Sequence, residues 1–302
     1  MRQDDDGARA AGDGGRSRHA LRRCDRRLPR RSRRRGHRRL SGCCRGDRRD
    51  PDDVAGRPRS VGARRAGIRG FAAPLSCRSG GCAGVNARDI WAVVPIKDTA
   101  QAKQRLKDAV PAELKPRLAL AMAEDVLSAL AAAPGLTGMA VVTLDAAASE
   151  LARRYGARLI TAGALDGQTG AVRAAARELA REGRTAMLTI PGDVPLVTPD
   201  EIRELIAAHD RTPDFVITPA HDGRGSNAVL CAPPELVPLQ FGDDSFVPHL
   251  AAARRAGVEP KIVRLAGIGL DIDNPRDLAA FLKIPSRTRT RALLRDAGID
   301  GP

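Results

Sequence analysis

From residue 91 onward, short apolar runs ending in Pro, Gly or Asp alternate with longer stretches of helical spacing, and that alternation leaves few folds open to the chain. Residues 91–95 (WAVVP), 139–143, 158–161, 185–190, 215–218, 228–231 and 261–265 read as strands. Residues 116–130 read as a helix with Leu118, Met122, Val126 and Leu130 on one face. Asp145 caps a second helix that runs to Tyr155 and ends at Gly156, and a third is expected over 169–182. Thr198 caps a fourth, with Pro199 at its first position and Asp200 and Glu201 in its first turn, ending near His209. Residues 245–256 and 275–282 are the last two of the body, and 286–302 read as a loosely attached helical tail. Such βα alternation predicts an α/β fold: a mostly parallel sheet with helices on both faces, in one domain over residues 89–285.

The formal net charge of +15 suggests a nucleic-acid binder until its distribution is read. Residues 1–88 hold 25 Arg and no Lys against 9 Asp and no Glu, a net +16; the remainder holds 26 basic and 27 acidic residues, a net −1. The body is therefore not expected to bind nucleic acid. Residues 1–88 are rich in Arg, Gly and Ala, with too few apolar residues to offset the entropy of ordering. They read either as GC-rich DNA translated upstream of a true start, for which Val85 is a candidate, or as a disordered RNA-binding arm. Five of the six cysteines lie there, without a paired zinc spacing, and Cys231 is alone in the body, as in a reduced cytoplasmic protein. No run approaches the roughly 18 apolar residues of a membrane span.

Ligands of open α/β sheets gather beyond the carboxyl ends of the strands, so the loops there carry the candidate chemistry. The loop after the first strand sets Lys97, Lys103 and Arg105 within nine residues, charges suited to a triphosphate. Thr143 and Asp145, at the end of the second strand, are candidate nucleotide contacts. The fourth strand runs into Pro191-Gly192-Asp193, where an Asp between Gly and an apolar turn suits a divalent cation. In Asp271-Ile272-Asp273 the two carboxylates share a side of an extended segment and can meet Asp193, so these three are candidate magnesium ligands. The polar approach through Gly225-Ser226-Asn227 and the helix start at Gly242 and Ser245 suit a phosphate or carboxylate. Each also has an ordinary reading as a turn, cap or solvated loop. His221 and His249 are potential bases, but a phosphate nucleophile is already ionised and needs none.

Taken together, PIK…AKQRL, PGDVPLV, GSNAVL, FGDDSF and DIDNP, in this order over residues 90–282, resemble the 2-phospho-L-lactate or phosphoenolpyruvate guanylyltransferases of coenzyme F-420 biosynthesis. The resemblance implies a nucleotidyltransferase-like (GT-A-like, Rossmann-like) domain. It implies a reaction in which GTP and a small phosphorylated three-carbon acid give a guanosine diphospho-linked acid and diphosphate. It assigns Mg2+ to Asp193, Asp271 and Asp273, and the phospho-acid to Asn227, Gly242 and Ser245 with Ser226 beside them. The triphosphate falls to Lys97, Lys103 and Arg105. Where relatives carry Leu-Asn, this chain has Gln168-Thr169, so Thr169 stands in for an Asn contact to nucleotide. The Arg/Ala bias of high-GC coding favours phosphoenolpyruvate as acceptor. The competing readings are a nucleotidyltransferase for a molybdopterin or sugar phosphate, and an RNA-binding protein acting through its basic arm.

Overall fold

The computed structural model describes residues 89–106 and 109–300; the arginine-rich segment, with its expected start at Val85, lies outside the described residues. Among these residues seven strands form one sheet: β1 Ile90–Pro95, β2 Gly138–Val142, β3 Arg158–Ile160, β4 Ala186–Thr189, β5 Asp214–Pro219, β6 Ser226–Ala232 and β7 Lys261–Ile262. Their spatial order is β3-β2-β1-β4-β6-β5-β7. Every pairing is parallel except those of β6, which runs antiparallel to β4 and β5. The reversal matters for the site. It brings the start of β6, rather than its end, to the edge where the parallel strands finish.

Among the described residues eight α-helices accompany the sheet: α1 Lys115–Ala132, α2 Ala146–Arg154, α3 Gly167–Arg181, α4 Pro199–Ala207, α5 Phe246–Arg255, α6 Ala266–Gly269, α7 Pro275–Lys283 and α8 Arg289–Asp296. Alternate residues of each strand face opposite layers, as a pleated strand requires. Ala92, Val94, Leu188 and Leu230 pack with α1, α2 and α4 on one face, through Val126, Leu127, Leu151, Ile202 and Leu205. Val93, Met187, Val229 and Cys231 pack on the other, with Val172, Ala175 and Leu179 of α3 and Ala253 of α5. The expected caps are in place. Asp145 accepts a hydrogen bond from the Ala148 N–H. Thr198 and Glu201 form a reciprocal capping box. Gly156 ends α2 at φ 67°, a left-handed position natural to glycine.

Two expectations are corrected. The last strand stops at Ile262 rather than running to 265, because only the Val263 N–H continues the ladder, onto the Ile217 carbonyl, before the chain turns into α6. The segment after Pro285 is helical, as expected, but it is not loose. Leu294 is fully buried, in a cluster with Leu118 and Met122 of α1 and Phe281 of α7. Asp125 of α1 accepts hydrogen bonds from the Arg289 N–H (2.8 Å), the Thr290 N–H (2.9 Å) and the Thr290 hydroxyl (2.7 Å). One buried carboxylate thereby caps the start of α8. Asp125→Ala leaves three donors without partners, and we expect a loss of about 1–3 kcal/mol in urea denaturation; an unchanged midpoint would mean that α8 is held by its apolar face alone.

Candidate active site

Three segments far apart in the chain meet at the carboxyl edge of the sheet. The first is the loop after β1, folded into two short 3-10 turns, Thr99–Gln101 and Gln104–Leu106. Asp145, at the end of β2, pins its start by accepting from the Thr99 N–H (2.9 Å) and the Thr99 hydroxyl (2.6 Å). Leu106 anchors its far end in the cluster beneath α7. Between the two turns stands Lys103 at φ 55°, the one left-handed residue other than glycine among the described residues. Holding a lysine there costs about 1–2 kcal/mol.

The second segment is the turn after β4 and the third is Asp271-Ile272-Asp273. They are joined by a hydrogen bond from the Ile272 N–H to the Asp193 carbonyl (3.1 Å). Ile272 points down into the core, so Asp271 and Asp273 point the other way, toward Asp193. Lys103 closes the arrangement. Its ammonium donates to Asp193 at 2.8 Å and to Asp273 at 2.9 Å, with its side chain only 8% exposed. Burial alone would lower the pKa of this amine, but the charges and hydrogen bonds of Asp193 and Asp273 outweigh it and hold the amine above the usual lysine range. For Asp273, burial opposes ionisation, yet Lys103, with Arg105 and Lys97 nearby, keeps its pKa below the usual carboxylate value.

Asp271 has no such partner. Burial, with the charges of Asp193 and Asp273, pushes its carboxyl up to about 6 against the hydrogen bond it receives from Asn227. The ammonium thus pairs with two of three carboxylates, and the site has a surplus of hard oxygen ligands. Among the described residues no three carboxylate, imidazole or thiol groups already close on one point as a metal cage. The place between Asp193 and Asp273 is filled by Lys103 instead.

Asn227, expected to hold the acid, is engaged within the protein. Its amide nitrogen donates to the Ile268 and Gly269 carbonyls and to Asp271, each at 3.0 Å. Its donor is spent, and only its oxygen, an acceptor unsuited to an anion, is left to offer. Its role here is to hold Asp271. Thr169 likewise turns inward: its hydroxyl accepts from the Phe241 N–H at 2.9 Å and faces the Phe241 carbonyl at 3.4 Å, fastening α3 to the loop before α5. The Thr143 hydroxyl accepts from the Asp145 N–H (3.0 Å), and both carboxylate oxygens of Asp145 are engaged by Thr99 and Ala148. These two therefore shape the edge from within.

The remaining expected residues are available. Lys97 and Arg105 are exposed at the rim, with Arg105 3.8 Å from Asp243. Gly242 has open space where a side chain would be. Ser226 and Ser245 lie together, Ser245 donating to Ser226 at 3.2 Å. The loop before β6 is tied to the start of α5 by Arg224, which pairs with Asp244 (2.7 Å) and accepts through its carbonyl from the Phe246 N–H (2.8 Å). His221 is exposed and faces Asp277 at 3.7 Å, outside the carboxylate group, whereas His249 is buried beneath the two serines. Asn227→Ala removes the amide that donates to Asp271 and to the Ile268 and Gly269 carbonyls, of which Gly269 keeps the His221 N–H, and we expect a stability loss of about 1–3 kcal/mol by chemical denaturation. No measurable loss would contradict its role as the clamp.

Comparison with known proteins places the chain in a family. The family described as "Guanylyl transferase CofC like" matches residues 90–301, so most of the segment after Pro285 lies within the match. A phosphoenolpyruvate guanylyltransferase of Roseiflexus castenholzii is 39% identical over 210 residues, covering 69% of this chain and 95% of the relative. A 3-phospho-D-glycerate guanylyltransferase of Colwellia psychrerythraea is 30% identical over 207 residues, covering 68% and 98%. Among solved structures, a protein of Desulfovibrio desulfuricans G20 assigned as a nucleotide-diphospho-sugar transferase superposes with a TM-score of 0.54 at 19% identity, over 72% of this chain and 99% of that one. That likeness shows the shared fold, the nucleotidyltransferase-like sheet expected above.

Proposed function

The chain belongs to the CofC-like guanylyl transferase family, and from that premise we propose that it transfers GMP from GTP to phosphoenolpyruvate, releasing diphosphate, in coenzyme F-420 biosynthesis. The observation that carries the reading is the convergence of Asp193, Asp271 and Asp273 with Lys103 at one sheet edge. Several relatives named for phosphoenolpyruvate match at 34–39% identity, against 30% for the one named for 3-phospho-D-glycerate, and this favours phosphoenolpyruvate over that acid.

Attack by the acid's phosphate oxygen on the α-phosphorus of GTP brings two anions together, and the chain's task is positioning and charge relief. The open ground around Gly242, with Ser226 and Ser245, receives the phospho-acid. Lys97 and Arg105, exposed at the rim, meet the triphosphate and take up charge on the departing diphosphate. Asn227 keeps Asp271 turned toward Asp193. The all-oxygen donor set and the unpaired Asp271 fit a hard divalent cation, with Asp193, Asp271 and Asp273 as its holders. Bound there, Mg2+ would neutralise charge shared between the two phosphates. Lys103 stands in for that charge in the free protein and joins Lys97 and Arg105 on the triphosphate side when it is relieved. No side chain is needed as a base. We assign the activity to residues 89–300, within which the family match falls apart from its last residue, in the cytoplasm.

Diphosphate release measured with GTP, Mg2+ and each of the three acids tests the substrate. Phosphoenolpyruvate should give the highest kcat/KM, and turnover only with a sugar phosphate or a pterin would overturn the reading. Asp193→Asn should lower kcat by at least about 100-fold, the effect of one strong electrostatic group, and near-normal turnover in folded protein would remove Asp193 from the site. Lys103→Met should melt earlier than the parent in EDTA, by about 1–3 kcal/mol, since the carboxylates it leaves are partly exposed. Added Mg2+ should then raise the melting temperature of Lys103→Met more than that of the parent. An equal Mg2+ response would mean that the ammonium does not occupy the cation's ground. Deletion of residues 1–84 should leave kcat/KM unchanged, and salt-sensitive RNA binding with loss of activity would instead favour the basic-arm reading.

A further inference from the structure

His249 lies on the first full turn of α5, 2% exposed, edge-on to Phe241. Its two ring nitrogens are both engaged. The Gln240 backbone N–H donates to Nε2 at 3.0 Å, which makes Nε2 an acceptor. Burial pushes the imidazole's pKa down to about 4, so the ring is neutral and carries one proton. That proton is therefore on Nδ1, which is 3.0 Å from the Ser226 hydroxyl, and the histidine donates to the serine.

The consequence falls on the serines. Ser226 accepts from His249 Nδ1 and from the Ser245 hydroxyl, so both of its acceptor positions are used. Its own proton cannot return to a ring nitrogen that already bears one. Ser245 stands at the N-cap of α5 but makes no side-chain cap, which leaves its hydroxyl with Ser226. Two hydroxyls thus share one bridging proton and have one left over, beside the open position at Gly242. Both serines are nearly buried, at 5% exposure each, where an unused donor favours an incoming oxyanion.

We propose that His249 is a positioning residue for the phospho-acid: by donating from Nδ1 to Ser226, and by anchoring Gln240 through Nε2, it turns a serine proton toward an anionic oxygen of the substrate. The proposal rests on the reading above that Ser226 and Ser245 face the acid. It gives His249 no proton transfer with the substrate and no contact with GTP.

Two substitutions separate its two hydrogen bonds. His249→Gln places an oxygen near the Nε2 position and can keep the Gln240 anchor, but it loses the donor to Ser226. His249→Asn places its amide near Nδ1 and can keep that donor, but it loses the anchor. Steady-state kinetics of the full chain with GTP, Mg2+ and phosphoenolpyruvate should show His249→Gln raising the KM for phosphoenolpyruvate about 10- to 100-fold, the range for a hydrogen bond to a charged group. The KM for GTP and kcat should stay within about 3-fold, and His249→Asn should retain most of the acid affinity. A purely structural histidine predicts the reverse order, or equal damage to both substrates, and either result overturns the proposal. Ser226→Ala carries the test if His249→Gln does not fold: it should raise the acid KM as much, and an unchanged value overturns the proposal. Ser245→Ala distinguishes the two levels. If it leaves the acid KM unchanged, the acid site itself is misassigned; if it raises that KM while His249→Gln does not, the positioning role alone falls.

Discussion

The ammonium of Lys103 between Asp193 and Asp273 is the contact on which the arrangement of the candidate site depends. It ties the loop after β1 to the end of β4 and to the segment before α7, three pieces of chain that share no local structure. It also justifies the left-handed backbone at Lys103, since about 1–2 kcal/mol of conformational cost is offset by two short charged hydrogen bonds in a nearly buried setting. Without that charge, Asp193, Asp271 and Asp273 would face each other across a low-dielectric edge. Even with it the balance is incomplete, and Asp271 responds by holding its proton to about pH 6. The site is thus assembled around a cation of its own and retains room, in charge if not in space, for another.

The rest of the fold serves this edge from two sides. The parallel strands deliver loops to it, and the single antiparallel strand, β6, delivers its beginning. That reversal places Asn227 against Asp271 and Ser226 against Ser245, on neighbouring residues that project to opposite sides of one strand. Asn227 serves the carboxylates, whereas Ser226 and the buried His249 serve the ground beside Gly242. An electropositive rim and a carboxylate floor fit a reaction between two phosphates better than one that needs a base.

Much of this was legible in the chain, for reasons that can be named. Strand ends that run into Pro, Gly and Asp mark the loops of an open sheet, so Asp193 and the Asp271/Asp273 pair stood out before any contact was seen. Capping at Asp145 and Thr198 followed local rules and appeared where expected. What stayed hidden lies across long separations. The bond from Lys103 to Asp273 spans 170 residues, that from Asn227 to Asp271 spans 44, and that from Thr290 to Asp125 spans 165. No spacing rule reaches so far, so the sequence shows neither the pairing of Lys103 with two carboxylates, nor the bond from Asn227 to Asp271, nor the seat of the last helix. His249 was visible but looked dispensable as a base; its two hydrogen bonds give it other work.

The most direct test of the account is mass spectrometry of the product formed by the full chain from GTP, Mg2+ and phosphoenolpyruvate. Attack at the α-phosphorus predicts a guanosine diphospho-linked enolpyruvate and an equal amount of diphosphate. Formation of GDP, or of no adduct from folded protein with any of the three acids, would contradict it.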